Sequence, residues 1–418
     1  MKGDKTTDIV TNAASFLHLP KSGRFYASGR GILVDQTIYR PSWAEINLDN
    51  IAYNIKQMKG KLASSSKVMA VVKANGYGHG AVQVGRMALK AGADALAVAL
   101  LEEAVELREA GIEAPVLVLG RISPEFAPVA RDRGIALTVF QKDWLEQAEA
   151  HLLAVPSEQQ LAIHLEMDTG MCRTGIRTAE QLQECLEVLK QSRCIYLTGV
   201  YTHFATADEE NSTGYRSQLK QYKERVRLLK EIWPHPVSLH TSNSAASIQH
   251  TEDAFDYIRF GVSLYGLYPS PYLKAQQHID LQPAFSLHSR LTEVKKLAAG
   301  EAVSYGATYR TEREEWIGTV PVGYADGWPR KLQGAFVLIS GRRMPIVGRI
   351  CMDQLMVRLD GEYPVGEQVT LIGRQGAEAI SIDEVAERLD TIVYEVPCLI
   401  SSRIPRIYLN EGQPSRQE

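Results

Sequence analysis

Between residues 67 and 263 the chain carries eight short, continuous apolar and β-branched runs. They are Lys67–Val72, Ala95–Leu100, Pro115–Leu119, Ala136–Phe140, Leu161–Met167, Leu197–Thr202, Val237–His240 and Ile258–Ser263. Runs of this length without polar alternation predict strands buried on both faces. Between most of them lie segments that mix Glu, Lys, Arg and Leu at amphipathic spacing, as at Leu101–Ala110, Gln181–Gln191 and Gln218–Ile232, and these predict helices. Asp49–Leu62 predicts a further helix ahead of the first strand. Strand and helix in alternation imply parallel βαβ units. Eight such units fit an α/β fold of the closed (β/α)8, TIM-like barrel type; a doubly wound open sheet is the alternative.

After about Gln282 the texture changes. Trp316–Val322, Phe336–Ser340, Met344–Ile350, Gln354–Leu359 and Gln368–Ile372 are separated by Gly, Asp and Pro, with little helix between them. That pattern predicts a second, mostly antiparallel β-strand domain at the C-terminus. The expected division is an unassigned N-terminal extension over 1–39, the barrel over 40–281 and the β domain over 282–418. The chain shows no internal repeat and no low-complexity segment.

Composition adds mainly exclusions. A length of 418 residues, 45% apolar and 23% charged, suits a globular chain with more than one core. The net charge of −3 gives no reason to expect nucleic acid or an anionic membrane as partner. No apolar run approaches the roughly 20 residues that span a bilayer. Residues 1 to about 31 lack the apolar stretch of a secretory signal. The five cysteines, Cys172, Cys185, Cys194, Cys351 and Cys398, are odd in number and form no CxxC pair. Neither a disulfide framework nor a metal site is expected, and free thiols suit a reducing, cytoplasmic compartment.

The candidate chemistry gathers at the C-terminal ends of the expected barrel strands, where such barrels build their active sites. Lys73 directly follows the first run and opens a glycine-rich turn, Lys73-Ala74-Asn75-Gly76-Tyr77-Gly78-His79-Gly80. A lysine desolvated there has a lowered pKa and an amine nucleophilic enough for a Schiff base. The glycines match neither GxGxxG nor a Walker loop. Glu166, Asp168 and Arg173 follow in and after the fifth run, His203 follows the sixth, and His240, Asn243 and Ser244 close the seventh. Arg259, Gly261 and Val262 lie in the eighth. Singly, His203 reads as a buried core histidine and Arg259 as half of an ion pair; together these groups converge on one mouth. Glycine and serine beside strands seven and eight are where such barrels hold a phosphate.

Nine segments in order, VVKANGYGHG, HLEMDTGMCRTG, YTHFATAD, HTSNSA, RFGVSLYG, VSYGATYR, PVGYADGWPR, VGRICMDQ and TIVYEVPCLISSRIPR, resemble those of alanine racemases, from about Arg40 to about Tyr408. The resemblance implies a pyridoxal 5'-phosphate barrel with a C-terminal β domain, working as a head-to-tail homodimer with shared active sites. It implies that Lys73 holds the cofactor as a Schiff base and that Arg259 faces the pyridine nitrogen. His203 would lie against the ring. Tyr77, Ser244, Gly261, Val262 and Tyr394 would bind the phosphate, with His240 and Asn243 in support. Racemisation needs an acid/base group on each face of Cα. Lys73 would serve one face, and Tyr305 from the partner subunit the other.

Tyrosine, with a reference pKa of about 10, needs a nearby cation to act as a base. Arg173 is the candidate, and it would also hold the substrate carboxylate with the backbone N–H of Met352 from the partner. Tyr324 resembles the family's entrance tyrosine. The sequence departs from the family twice. Glu166 stands where many members carry a carbamylated lysine, and is expected to supply a permanent carboxylate that orients Arg173. Cys172 stands where glycine is usual. The expected activity is interconversion of L- and D-alanine, which in bacteria supplies D-alanine for peptidoglycan. A broad or serine-preferring racemase, and a non-catalytic carrier of the same cofactor, are the alternatives.

Overall fold

The computed structural model describes residues 39–410 and, besides these, the backbone of 26–27 and 30–34. Eight strands, β1 (Lys67–Val71), β2 (Ala95–Val98), β3 (Val116–Val118), β4 (Ile135–Val139), β5 (Leu161–Met167), β6 (Ile195–Thr202), β7 (Ser238–His240) and β8 (Tyr257–Phe260), close into a barrel. Each pairs in parallel with its neighbours, and β8 returns onto β1 with Arg259 opposite Met69. Closure excludes the open doubly wound sheet. The strands lie within two or three residues of the expected runs. The last is shorter than Ile258–Ser263 because the chain turns into a 3-10 helix at Val262–Tyr265.

The reason for the barrel lies in the side chains. Val68, Ala70, Leu96, Val98, Val118 and Leu137 are fully buried, and each aliphatic side chain removed from water contributes about 1.5–3 kcal/mol. Met69, Val71, Ala95, Ala97 and Leu117 form one tight cluster. The flanking helices Leu48–Lys61, Leu101–Glu109, Ala179–Gln191 and Thr213–Ile232 fall where the amphipathic segments place them. Thr178 starts the third of these with a capping box: its hydroxyl accepts from Gln181 N (3.2 Å), and the Gln181 side chain accepts from Thr178 N (3.3 Å).

Residues 50–284 and 391–398 form the barrel unit; residues 39–49, 285–390 and 399–410, with the backbone of 26–27 and 30–34, form a sheet unit. The sheet runs in the order Tyr26–Ala27, Arg30–Val34, Arg406–Asn410, Ser42–Asn47, Phe285–Arg290, Gln368–Gln375, Phe336–Ile339, Arg342–Val347, Leu355–Leu359, Glu315–Val320 and Glu293–Leu297. Every pairing is antiparallel except Arg406–Asn410 on Ser42–Asn47. Two segments fall outside a simple division at residue 281. Ser42–Asn47 pairs with Phe285–Arg290 in the sheet, because its alternating burial suits a strand with one covered face and not a doubly buried barrel strand. Thr391–Cys398 belongs to the barrel unit. The N-terminal extension otherwise lies outside the described residues.

Among the described residues, no helix is long and apolar enough to cross a membrane, and no group of three or more His, Cys, Asp or Glu side chains is placed to hold a metal ion. All five cysteines are free thiols.

Candidate active site

Lys73 opens a turn of unusual hand. Ala74, Asn75, Gly76 and Tyr77 have φ of 53°, 51°, 61° and 51°, so four successive residues are left-handed. The conformation costs about 1–2 kcal/mol for each ordinary L-residue and less for Asn and Gly. Backbone bonds hold it: Gly76 N to Val72 O (2.8 Å), Gly78 N to Ala74 O (3.0 Å) and Gly80 N to Asn75 O (2.8 Å). The Asn75 side chain accepts from Ala81 N at 3.0 Å. Strain of this kind concentrates where the chain holds a group in a fixed direction, and Lys73 is the residue immediately before the turn. Burial pushes the Lys73 ammonium below the usual lysine range; Arg173 and Arg259 push the same way, and Glu103 opposes them.

Gly78 continues the turn at φ +81°, and a Cβ there would stand 2.2 Å from the carbonyl oxygen of Pro397. Gly78→Ala combines a strained φ with a backbone clash. It is expected to cost about 3 kcal/mol and to displace the Tyr394 segment, with chemical denaturation as the check.

Arg259, almost fully buried, is the hub of the mouth. It donates to the carbonyl oxygens of Thr202 (2.7 Å) and Thr241 (2.9 Å), to His240 Nδ1 (2.8 Å) and to His203 Nδ1 (3.2 Å). Its guanidinium also lies 5.0 Å from the Tyr201 ring centre, and no carboxylate pairs with it among the described ion pairs. Guanidinium only donates, so both imidazoles accept on Nδ1. His240 therefore carries its proton on Nε2 and donates it to His164 Nδ1 at 2.8 Å. Burial first, then the charge of Arg259, holds His203 and His240 well below the usual histidine range and His164 at about 4. All three rings are neutral near pH 7. Gly199 makes this possible: a Cβ there would meet the His164 ring at 2.5 Å.

A second cradle lies between the turn and β8. A Cβ on Gly261 would stand 2.9 Å from Tyr77 Oη and 3.7 Å from Ser244 Oγ. Ser244 Oγ accepts from Gly261 N at 2.9 Å. The Tyr77 ring lies 6.3 Å from that of Tyr394. Burial raises the pKa of both tyrosines, so their hydroxyls stay protonated donors. Uncharged donors around a glycine suit a phosphate. Asn243 is committed elsewhere: its side chain donates to Phe204 O (3.2 Å) and caps the next helix by accepting from Ala246 N (3.0 Å).

The loop carrying Arg173 is held from several sides. Asp168 Oδ1 accepts from Gly170 N (3.0 Å) and Cys172 N (2.9 Å). Cys172 has φ +58°, a region glycine occupies without penalty, which accounts physically for the glycine usual there. Glu166, buried, accepts from the Thr174 hydroxyl at 2.8 Å. Burial pushes its carboxyl upward, against the Thr174 bond and the charges of Arg173 and Arg259. Sequence reasoning expects Glu166 to pair with Arg173, whereas the hydrogen bond goes to its neighbour Thr174.

Two residues that sequence reasoning passed over complete the support. Gln218 donates to His203 O (3.0 Å) and accepts from Ala205 N (3.0 Å). Arg225 donates to the carbonyls of Asp168 (2.6 Å), Ile176 (2.9 Å) and Arg177 (2.6 Å). Both sit inside an ordinary amphipathic helix pattern, which carries no signal of their targets.

In the sheet unit, Tyr305, Tyr324 and Met352 are 72%, 43% and 53% exposed. Tyr305 and Met352 line one recess with Lys295, Glu301, Cys351 and Asp353. The Tyr324 loop is stitched to the Met352 loop through Tyr324 N to Cys351 O and Ala325 N to Met352 O, both 3.0 Å. Asp326 anchors it, fully buried, with two bonds from Arg40 (2.9 and 2.7 Å) and one from Gly323 N (3.0 Å). Asp326→Ala strands a partly buried guanidinium, and thermal unfolding is expected to show a loss of about 3 kcal/mol.

Two family models match in tandem: alanine racemase, N-terminal domain, over residues 46–269, and alanine racemase, C-terminal domain, over 284–408. The chain is 54% identical over 370 residues to the alanine racemase of Geobacillus stearothermophilus, covering 88% of this chain and 94% of that protein. It is 51% identical over 378 residues to that of Anoxybacillus flavithermus, covering 90% and 97%. The crystal structure of alanine racemase from Bacillus anthracis with bound L-Ala-P is similar at a TM-score of 0.87 and 45% identity, over 90% of this chain and 97% of that one. These are isomerases that racemise amino acids. The chain belongs to the alanine racemase family.

Proposed function

We propose that the protein interconverts L- and D-alanine with pyridoxal 5'-phosphate, in a site shared between two copies of the chain. The observation that carries this is the pairing of a partly desolvated Lys73 on a strained turn with the uncharged cradle of Tyr77, Ser244 and Gly261. An amine and a phosphate cradle on one barrel mouth fit this cofactor. When bound, it supplies an electron sink for the pair left at the substrate's Cα. Lys73 would hold it through Nζ, while Tyr77, Tyr394, Ser244 and the backbone of Gly261 and Val262 would hold its phosphate. Arg259 would face the ring nitrogen as a donor that keeps its own proton, which weakens the sink and suits racemisation over competing reactions.

The chain's own groups then do the proton work. Freed Lys73 Nζ takes or returns the Cα proton on one face. Tyr305 of a second copy does so on the other, its phenolate taking the proton and its hydroxyl returning it, and its exposure fits a group completed by that copy. Arg173 and the Met352 N–H of the second copy hold the substrate carboxylate. Glu166 acts on Arg173 through Thr174. Glu166→Gln keeps an acceptor for the Thr174 hydroxyl but removes its charge, a loss of about 1 kcal/mol, so kcat/KM is expected to fall about fivefold, and full activity would remove Glu166 from the account.

The proposal extends to a head-to-tail homodimer, to D-alanine supply for peptidoglycan, and to a cytoplasmic setting in which the five thiols stay reduced. The match of the second family model over 284–408 disfavours a barrel-only cofactor carrier. Chiral chromatography of L-alanine and of L-serine, each incubated with protein and cofactor, tests the reading. D-alanine forming faster supports it, D-serine forming faster changes the substrate, and no D-product from either overturns it.

A further inference from the structure

The left-handed turn at Ala74–Tyr77 has an anchor that the mechanism above does not use. Glu103, half-buried in the first turn of the helix Leu101–Glu109, reaches two loops at once. Its Oε1 accepts from Ala74 N at 2.5 Å, and its Oε2 accepts from Ala99 N at 2.8 Å and Leu100 N at 3.1 Å. Ala74 is the first residue of the turn to take a positive φ, and it directly follows Lys73. The Ala99–Leu100 side is itself fixed, because Gly120 N donates to Ala99 O at 3.1 Å and Val72 N donates to Ala97 O at 2.8 Å. The carboxylate is therefore a bridge from a rigid strand end to a strained one.

We infer that Glu103 is the positioning residue of Lys73: its carboxylate pins the left-handed turn to the loop after β2 and so fixes the direction of the Lys73 amine. The inference rests on the reading of Lys73 as the cofactor-holding amine. It follows from geometry. A turn in which Ala and Tyr adopt a glycine-like conformation relaxes unless something over-determines it. Three charge-assisted amide bonds to one carboxylate do so. Its negative charge is also set against Arg173 and Arg259, the cations that face Lys73 together with neutral His203 and the thiol of Cys398.

The test uses the full chain with its cofactor. Hydrogen exchange is measured on peptides covering residues 72–78 and 98–104, and pyridoxal 5'-phosphate affinity is measured from the visible spectrum. In Glu103→Ala, exchange in both peptides is expected to rise about tenfold or more, with strands β4 and β5 unchanged, and cofactor affinity is expected to fall about tenfold. Glu103→Gln keeps the shape but offers one acceptor, so only one of the two peptides loses protection; it carries the test if the alanine variant folds poorly. Ala74→Gly, which removes the left-handed penalty, restores much of the lost affinity in the Glu103→Ala background, whereas Ala104→Gly restores none. Wild-type protection and affinity in both Glu103 variants, or equal rescue by the two glycines, overturns the inference. An unchanged cofactor spectrum in Lys73→Ala overturns the reading of Lys73 and this inference with it, whereas a spectrum lost there beside unaffected Glu103 variants sinks the anchor alone.

Discussion

Lys73→Ala is expected to abolish the visible absorbance of bound cofactor and to lower racemisation by about 10³-fold or more. The size follows from the double duty placed on one amine. On the proposed reading it would hold the cofactor in the mouth and would also carry the proton on one face of Cα. No neighbour can replace it. Arg259 and Arg173 do not give up protons at working pH, and His203 is committed through Nδ1 to Arg259. The protein should stay folded, because Lys73 contributes no ion pair among those described and lies half-buried at a strand end. Retained absorbance would remove Lys73 as the anchor.

Tyr305→Phe is expected to lower activity by about 10²–10⁴-fold, the range for a lost general acid/base, and unevenly. In the proposed scheme the hydroxyl would serve one face of Cα only, so deuterium exchange from one enantiomer should collapse while exchange from the other, assigned to Lys73, persists. Phenylalanine keeps the ring, and the residue is 72% exposed in the isolated chain, so stability should change little. Equal exchange from both enantiomers at the unsubstituted rate would refute the two-base scheme.

The barrel was legible because its strands are doubly buried and read as unbroken apolar runs. The helices were legible from their amphipathic spacing. The strand Ser42–Asn47 was harder: it alternates, and its partners, Phe285–Arg290 and Arg406–Asn410, lie hundreds of residues away. At the site, Lys73, His203, Ser244 and Arg259 could be singled out because each lies within four residues of the C-terminal end of a strand. The left-handed turn could not, since Ala74 and Tyr77 carry no preference for positive φ and only Asn75 and Gly76 hint at it. The bonds from Arg40 to Asp326, from Gln218 to His203 and from Ala74 N to Glu103 are long-range facts of packing. Glu166 shows the limit of a motif: its position names a carboxylate near Arg173, but the bond runs to Thr174.

The most direct test of a site assembled from two copies is complementation. Lys73→Ala and Tyr305→Phe chains, each nearly inactive alone, are co-expressed with different tags, and the mixed dimer is purified through both. One of its two sites then contains neither substitution. The account predicts that this mixed dimer racemises alanine at a rate far above either parent. A mixed dimer as inactive as its parents would contradict it, placing Lys73 and Tyr305 in the same copy's site or Tyr305 outside the reaction altogether.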